Sequence, residues 1–117
     1  MEKTINIGGI DVRFVANAAT PKKYRHKFGR DLMLDIDALT ASAVSIQKKE
    51  QNFYTVDDLE NFENAAWTMA RQADDSIPDE PDEWLEGFEM FDIYRVLPEL
   101  LVLWNINMRT TAKPKKK

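Results

Sequence analysis

Gly8-Gly9 stands between two short runs rich in β-branched residues, Thr4-Ile5-Asn6-Ile7 and Ile10-Asp11-Val12-Arg13-Phe14-Val15. Both central residues of a type I′ turn need positive φ, which glycine adopts without steric penalty. The segment therefore reads as a tight antiparallel hairpin over about residues 4–15. Alternation puts Ile10, Val12 and Phe14 on one face and Asp11 and Arg13 on the other. A lone two-stranded hairpin is marginal in water, so that apolar face must be covered by another element. The rest of the chain offers helices for this, and the expected class is α+β, mostly α: a hairpin packed on four to five helices.

The helices are read from caps and spacing. Thr20-Pro21 starts the first, with a hydroxyl cap followed by proline at the first helical position. Tyr24 and Phe28 share a face, Gly29 stops it, and the span is about 21–28. Asp31 caps a second helix over 31–49, whose stripe is Leu32, Ile36, Leu39, Ala43 and Ile46. Lys48-Lys49 would suit the dipole of its last turn. Thr55 starts a third over 56–73, with Val56, Leu59, Phe62, Ala66, Met69 and Ala73 as its stripe. A short helix over 81–86 is bounded by Pro81 and Gly87. The last, over 92–108, carries Ile93, Val96, Leu97, Leu100, Leu101 and Trp104. Pro98 lies inside it, so a kink or a break into two pieces is expected there. Residues 1–109 are read as one domain, and 110–117 as a disordered basic tail.

The composition excludes several functions. No cysteine is present, which removes disulfides, thiolate metal sites and a cysteine nucleophile; the single histidine removes any site needing two imidazoles. His26 has no acidic neighbour in sequence and reads as a surface residue. Asp35 and Asp37 diverge on a helix. The run Asp79-Glu80-Pro81-Asp82-Glu83 lacks the spacing and central glycine of a calcium loop. Gly8-Gly9 has neither a following lysine nor a helix N-terminus, so it is a turn and not a phosphate loop. No catalytic, cofactor-binding or metal-ligating residue is assigned, and the chain is expected to be no enzyme. The longest apolar run, Leu100–Trp104, is too short to span a membrane, and the N-terminus carries no signal-peptide stretch. A cytosolic location is expected.

Charge is distributed unevenly. Residues 1–49 have a balance of +4, residues 50–108 one of −13, and residues 109–117 one of +5, which gives the net −4. A chain divided in this way can pair with itself, with a copy of itself or with a charged partner. The basic cluster Lys22, Lys23, Arg25, Lys27 and Arg30 has three readings: a solvated helix face, a phosphate-binding face, or a dock for the acidic segment of another copy. Net acidity argues against nucleic acid. The segment Glu83-Trp84-Leu85-Glu86-Gly87-Phe88-Glu89-Met90-Phe91 mixes large apolar side chains with acids. Trp84, Leu85, Phe88, Met90 and Phe91 are candidate partner contacts, because such residues anchor interfaces, or else core residues of a short helix. The lysine tail is a solubilising end, a weak phosphate-binding arm, or the product of an adenine-rich stretch of message.

Several segments in order carry a resemblance: Asp11-Val12-Arg13-Phe14, Tyr24-Arg25-His26-Lys27-Phe28-Gly29-Arg30-Asp31, Glu63-Asn64-Ala65-Ala66-Trp67-Thr68-Met69-Ala70, Asp82-Glu83-Trp84-Leu85, Met90-Phe91-Asp92-Ile93-Tyr94 and Leu97-Pro98-Glu99-Leu100-Leu101-Val102-Leu103-Trp104. Over roughly residues 5 to 108 the chain resembles the tail assembly chaperones of long-tailed bacteriophages and prophages of Gram-positive hosts. The resemblance implies a non-enzymatic protein of the host cytoplasm that binds the tape measure protein, keeps it soluble while the tail tube polymerises, and is missing from the mature virion. It also implies a longer frameshifted form that recruits tail tube protein; Lys115-Lys116-Lys117 is compatible with a slip site. Self-association through the basic segment is a further expectation. The alternative is a small nucleic-acid-binding or regulatory phage protein using Lys22–Arg30 and the lysine tail.

Overall fold

A computed structural model describes residues 1–112, with side chains through Trp104. Two antiparallel strands, β1 (Glu2–Ile7) and β2 (Ile10–Val15), precede six helical segments: α1 (Thr20–Phe28), α2 (Leu32–Gln47), α3 (Val56–Ala73), α4 (Pro81–Leu85), α5 (Asp92–Arg95) and α6 (Leu97–Ala112). The class is the expected α+β, a two-stranded N-terminal hairpin on a mostly helical body.

The hairpin register pairs Ile5 with Val12 and Ile7 with Ile10 across a turn in which Gly8 has φ 59° and Gly9 φ 93°. Ile5, Ile7, Val12 and Phe14 are buried, and β2 lies against α3. Ile10, expected inward, is 47 % exposed although its cross-strand partner Ile7 is fully buried. A methyl group added at Gly8 would stand 2.1 Å from the Asp92 carboxylate, whereas one at Gly9 would meet nothing within 4 Å. Gly8→Ala should therefore lose about 1–2 kcal/mol from its positive φ and more from displacing Asp92. Gly9→Ala should lose only the conformational part. Urea unfolding midpoints of the two variants check the difference.

Each helix end has a local cause. Asp31 caps α2 by accepting a hydrogen bond from Leu34 N–H at 3.1 Å, and Gly29, at φ 69°, closes α1 by donating to the Arg25 carbonyl. Thr55 and Asp58 form a reciprocal capping box at α3. At α1 the expectation fails in detail. Ala19 is the cap residue, and the Thr20 hydroxyl accepts from Asn17 N–H and donates to Gln72 Oε1 on α3. That hydroxyl joins two helices instead of capping one. Lys48 and Lys49 fall just past α2, Lys49 with φ 65°, and not in its last turn.

The expected last helix is two. The chain breaks at Val96, and Pro98 takes the second position of α6, where a missing N–H does no harm. Helix α6 runs through Ala112, three residues into the expected tail; Thr110, Thr111 and Ala112 contain no helix breaker, and Pro114 is the first. The remainder of the tail lies outside the described residues.

The core gathers on α3. Phe62, Ala65, Ala66, Met69 and Ala70 are buried beneath β2, α1 and α2, and Trp104 closes on Phe62 with ring centroids 5.9 Å apart. Val56, placed on the apolar stripe by its spacing, is 81 % exposed, whereas Asp58 in the same turn is buried and accepts a hydrogen bond from Ser42 on α2.

Candidate functional site

The five aromatic and aliphatic candidates separate by depth. Trp84 on α4 is buried and meets Phe88 edge-on at 5.2 Å. Leu85 and Phe88 are half-buried against the core. Met90 and Phe91, in the loop between α4 and α5, are 76 % and 61 % exposed. Trp84 is thus a core residue, and only Met90 and Phe91 present whole side chains outward. Helix α4 is too short to persist alone, so its position depends on the Trp84 ring and on Pro81, which is also buried.

Trp84 and Phe88 have a second role. Together with Ile10, Val12, Ile77 and Pro78 they line a notch of about 380 Å³ between the hairpin and the α3–α4 connection. Asp11, Asp74 and Glu83 stand on its rim, with Arg13 as the base among them. Arg13 is already paired with Glu2 at 3.1 Å. Hydrogen bonds from Ser76, with a smaller contribution from the nearby Arg13 and Arg71, hold the exposed Asp74 carboxyl below its usual range. A larger groove, about 450 Å³, opens beside Met1, Pro21, Leu32, Met33, Met69 and Trp104. The indole Nε1 of Trp104 is buried without a hydrogen-bond partner among the described residues.

The basic cluster also separates. Lys27 pairs with Glu80 at 2.8 Å and lies 5.5 Å above the Trp67 ring, whose Nε1 donates to the Pro78 carbonyl. Arg30 donates twice to Asp35, both at 2.8 Å. Lys22, Lys23 and Arg25 are exposed and enter no ion pair among the described residues. The basic helix and the acidic loop therefore touch within one chain, and a phosphate-binding reading retains three cations on α1, next to an acidic loop.

Two features were not legible beforehand. Asp35 is buried, and the Tyr24 hydroxyl donates to it at 2.7 Å alongside Arg30. Burial pushes the Asp35 carboxyl up, but the hydrogen bonds from Arg30 and Tyr24 outweigh this and hold it below its usual value. On the other side of α3, Tyr94 donates to Glu63. Burial raises Glu63, and its carboxylate pushes the Tyr94 hydroxyl up to about 12. Both networks join helices; Arg30 also lines a small notch of about 240 Å³ with Phe28, Asp57, Glu60, Asn61 and Asn64. Among the described residues no group of three His, Asp or Glu could hold a metal ion, and no helix is long and apolar enough to cross a membrane. Comparison with protein-family models, with curated proteins and with solved structures finds no match to this chain.

Proposed function

We propose that this chain is a tail assembly chaperone of a long-tailed bacteriophage or prophage. It acts in the bacterial host cytoplasm, binds the tape measure protein, keeps it soluble until the tail tube forms around it, and does not enter the virion. A frameshifted longer form would bring in tail tube protein. The reading rests on the ordered resemblance described above. The observation that supports it is the exposure of Met90 and Phe91 on an acid-rich segment beside an apolar notch. A chaperone for a long helical client needs apolar anchors in an acidic, well-hydrated setting, so that binding is reversible and the complex stays in solution. Weak contacts repeated along one client then act by avidity.

Co-expression with the tape measure protein tests the proposal. The wild-type chain should move that protein from the pellet to the supernatant. The double substitution Met90→Glu and Phe91→Glu should return most of it to the pellet while leaving the helical circular dichroism signal intact. A client that precipitates equally with and without the chain would overturn the reading.

A further inference from the structure

We propose that the notch between the hairpin and α4 receives a large apolar side chain from a partner segment flanked by lysine or arginine. Calling that partner the client rests on the function proposed above; the chemistry of the site does not.

The walls and the rim ask for different things. Ile10, Val12, Ile77, Pro78, Trp84 and Phe88 form an apolar lining with part of it open to solvent. A volume of about 380 Å³ is near the lower end of the roughly 300–1,000 Å³ typical of ligand clefts. It suits an inserted side chain better than a long groove-filling helix. The rim carries Asp11, Asp74 and Glu83. Asp11 accepts a hydrogen bond from Asn6 and Asp74 from Ser76, and neither is neutralised by it. Arg13 is engaged by Glu2. Further acids, Glu86 and Glu89, are exposed just beyond. An acidic partner would meet mostly like charge, three rim acids against the one base Arg13. A partner with basic flanks would lay its aliphatic stems on the apolar wall and its charged heads on the rim.

The chain's own basic helix does not meet this description. Helix α1 carries Lys22, Lys23 and Arg25, but its large apolar residues are spent inside: Tyr24 is buried and Phe28 half-buried. It supplies charge without an anchor. Met90 and Phe91 follow Phe88 by two and three residues and are exposed.

Two synthetic amphipathic helices test the inference, identical in a phenylalanine- and leucine-bearing face and flanked by lysine in one and glutamate in the other. Titrated against the full chain at low salt, the lysine peptide should bind at least about tenfold more tightly, with the advantage shrinking at about 0.5 M salt. The double reversal Asp11→Lys and Glu83→Lys should invert the preference. Ile10→Ser, which leaves the rim intact, should weaken both peptides. Equal binding of the two peptides, or binding indifferent to Ile10→Ser in a variant with unchanged circular dichroism, would overturn the proposal. So would self-association that the same substitutions abolish in the absence of peptide, since it would assign the notch to a second copy. The tests separate cleanly. Loss of the peptide preference with client solubilisation intact removes the notch and leaves the chaperone reading standing. Peptide binding without client solubilisation does the reverse.

Discussion

Trp84→Ala should cost about 3–5 kcal/mol, the usual range for truncating a buried aromatic side chain. For a domain of this size that is a large part of a total stability of about 5–15 kcal/mol, and the melting temperature should fall by roughly 10–20 °C. The reason is positional. Helix α4 has five residues, no side-chain cap, and no independent stability; what fixes it is the Trp84 ring, 6 % exposed and edge-on to Phe88. Removing the ring leaves a cavity, and it also frees the segment from Pro81 to Phe88, because the neighbouring backbone bonds close only local turns. Phe91→Ala is the control: at 61 % exposure it should shift stability by no more than about 0.5 kcal/mol. Urea or thermal unfolding of the two variants distinguishes core from surface within one apolar segment. A Trp84→Ala protein as stable as wild type would mean that the ring is an exposed anchor.

That segment shows where sequence reasoning stops. Periodicity finds apolar faces but not what covers them. Trp84, Phe88, Met90 and Phe91 are all large, apolar and close in sequence, yet Trp84 is buried, Phe88 half-buried, and Met90 and Phe91 exposed. Val56 fits the α3 stripe by spacing and is exposed, while the polar Asp58 two residues on is buried against α2. Elements bounded by strong local chemistry were readable: the Gly8-Gly9 turn, the Asp31 cap, the Thr55 start and the Gly29 stop all act within a few residues of themselves. Partnerships set by inter-helix angles were not. Lys27 and Arg30 look alike in a run of bases, yet one reaches Glu80, 53 positions away, and the other turns onto Asp35 in α2. Trp67 sits off the predicted α3 stripe, and its indole ties α3 to Pro78.

The same limitation makes Arg30→Ala informative. A surface base belonging only to a docking face can be removed at little cost to folding, typically within about 0.5 kcal/mol. Arg30 instead supplies both charge-assisted hydrogen bonds to a carboxylate that is 5 % exposed, and its removal leaves that charge with the Tyr24 hydroxyl alone. A loss of about 2–3 kcal/mol at neutral pH is expected, moderated because the Arg30 side chain itself is half in solvent. The pH dependence identifies the cause. In the wild type Asp35 lies below its unfolded value, near 3.8, so its contribution is complete above that pH and is lost as pH falls through the lower folded value. Without Arg30, burial dominates and the carboxyl moves above the unfolded value. Destabilisation then develops as pH rises from about 3.8 through that raised value. The stability difference between wild type and variant should therefore be small in acid and fully open at neutral pH. Arg30→Lys should recover part of it, because an ammonium cannot reproduce the two-pronged geometry. Urea midpoints across that pH range give the measurement. A gap of constant size would mean that Arg30 acts through packing of its aliphatic stem, and no gap at all would return it to the solvent-exposed basic face with Lys22, Lys23 and Arg25.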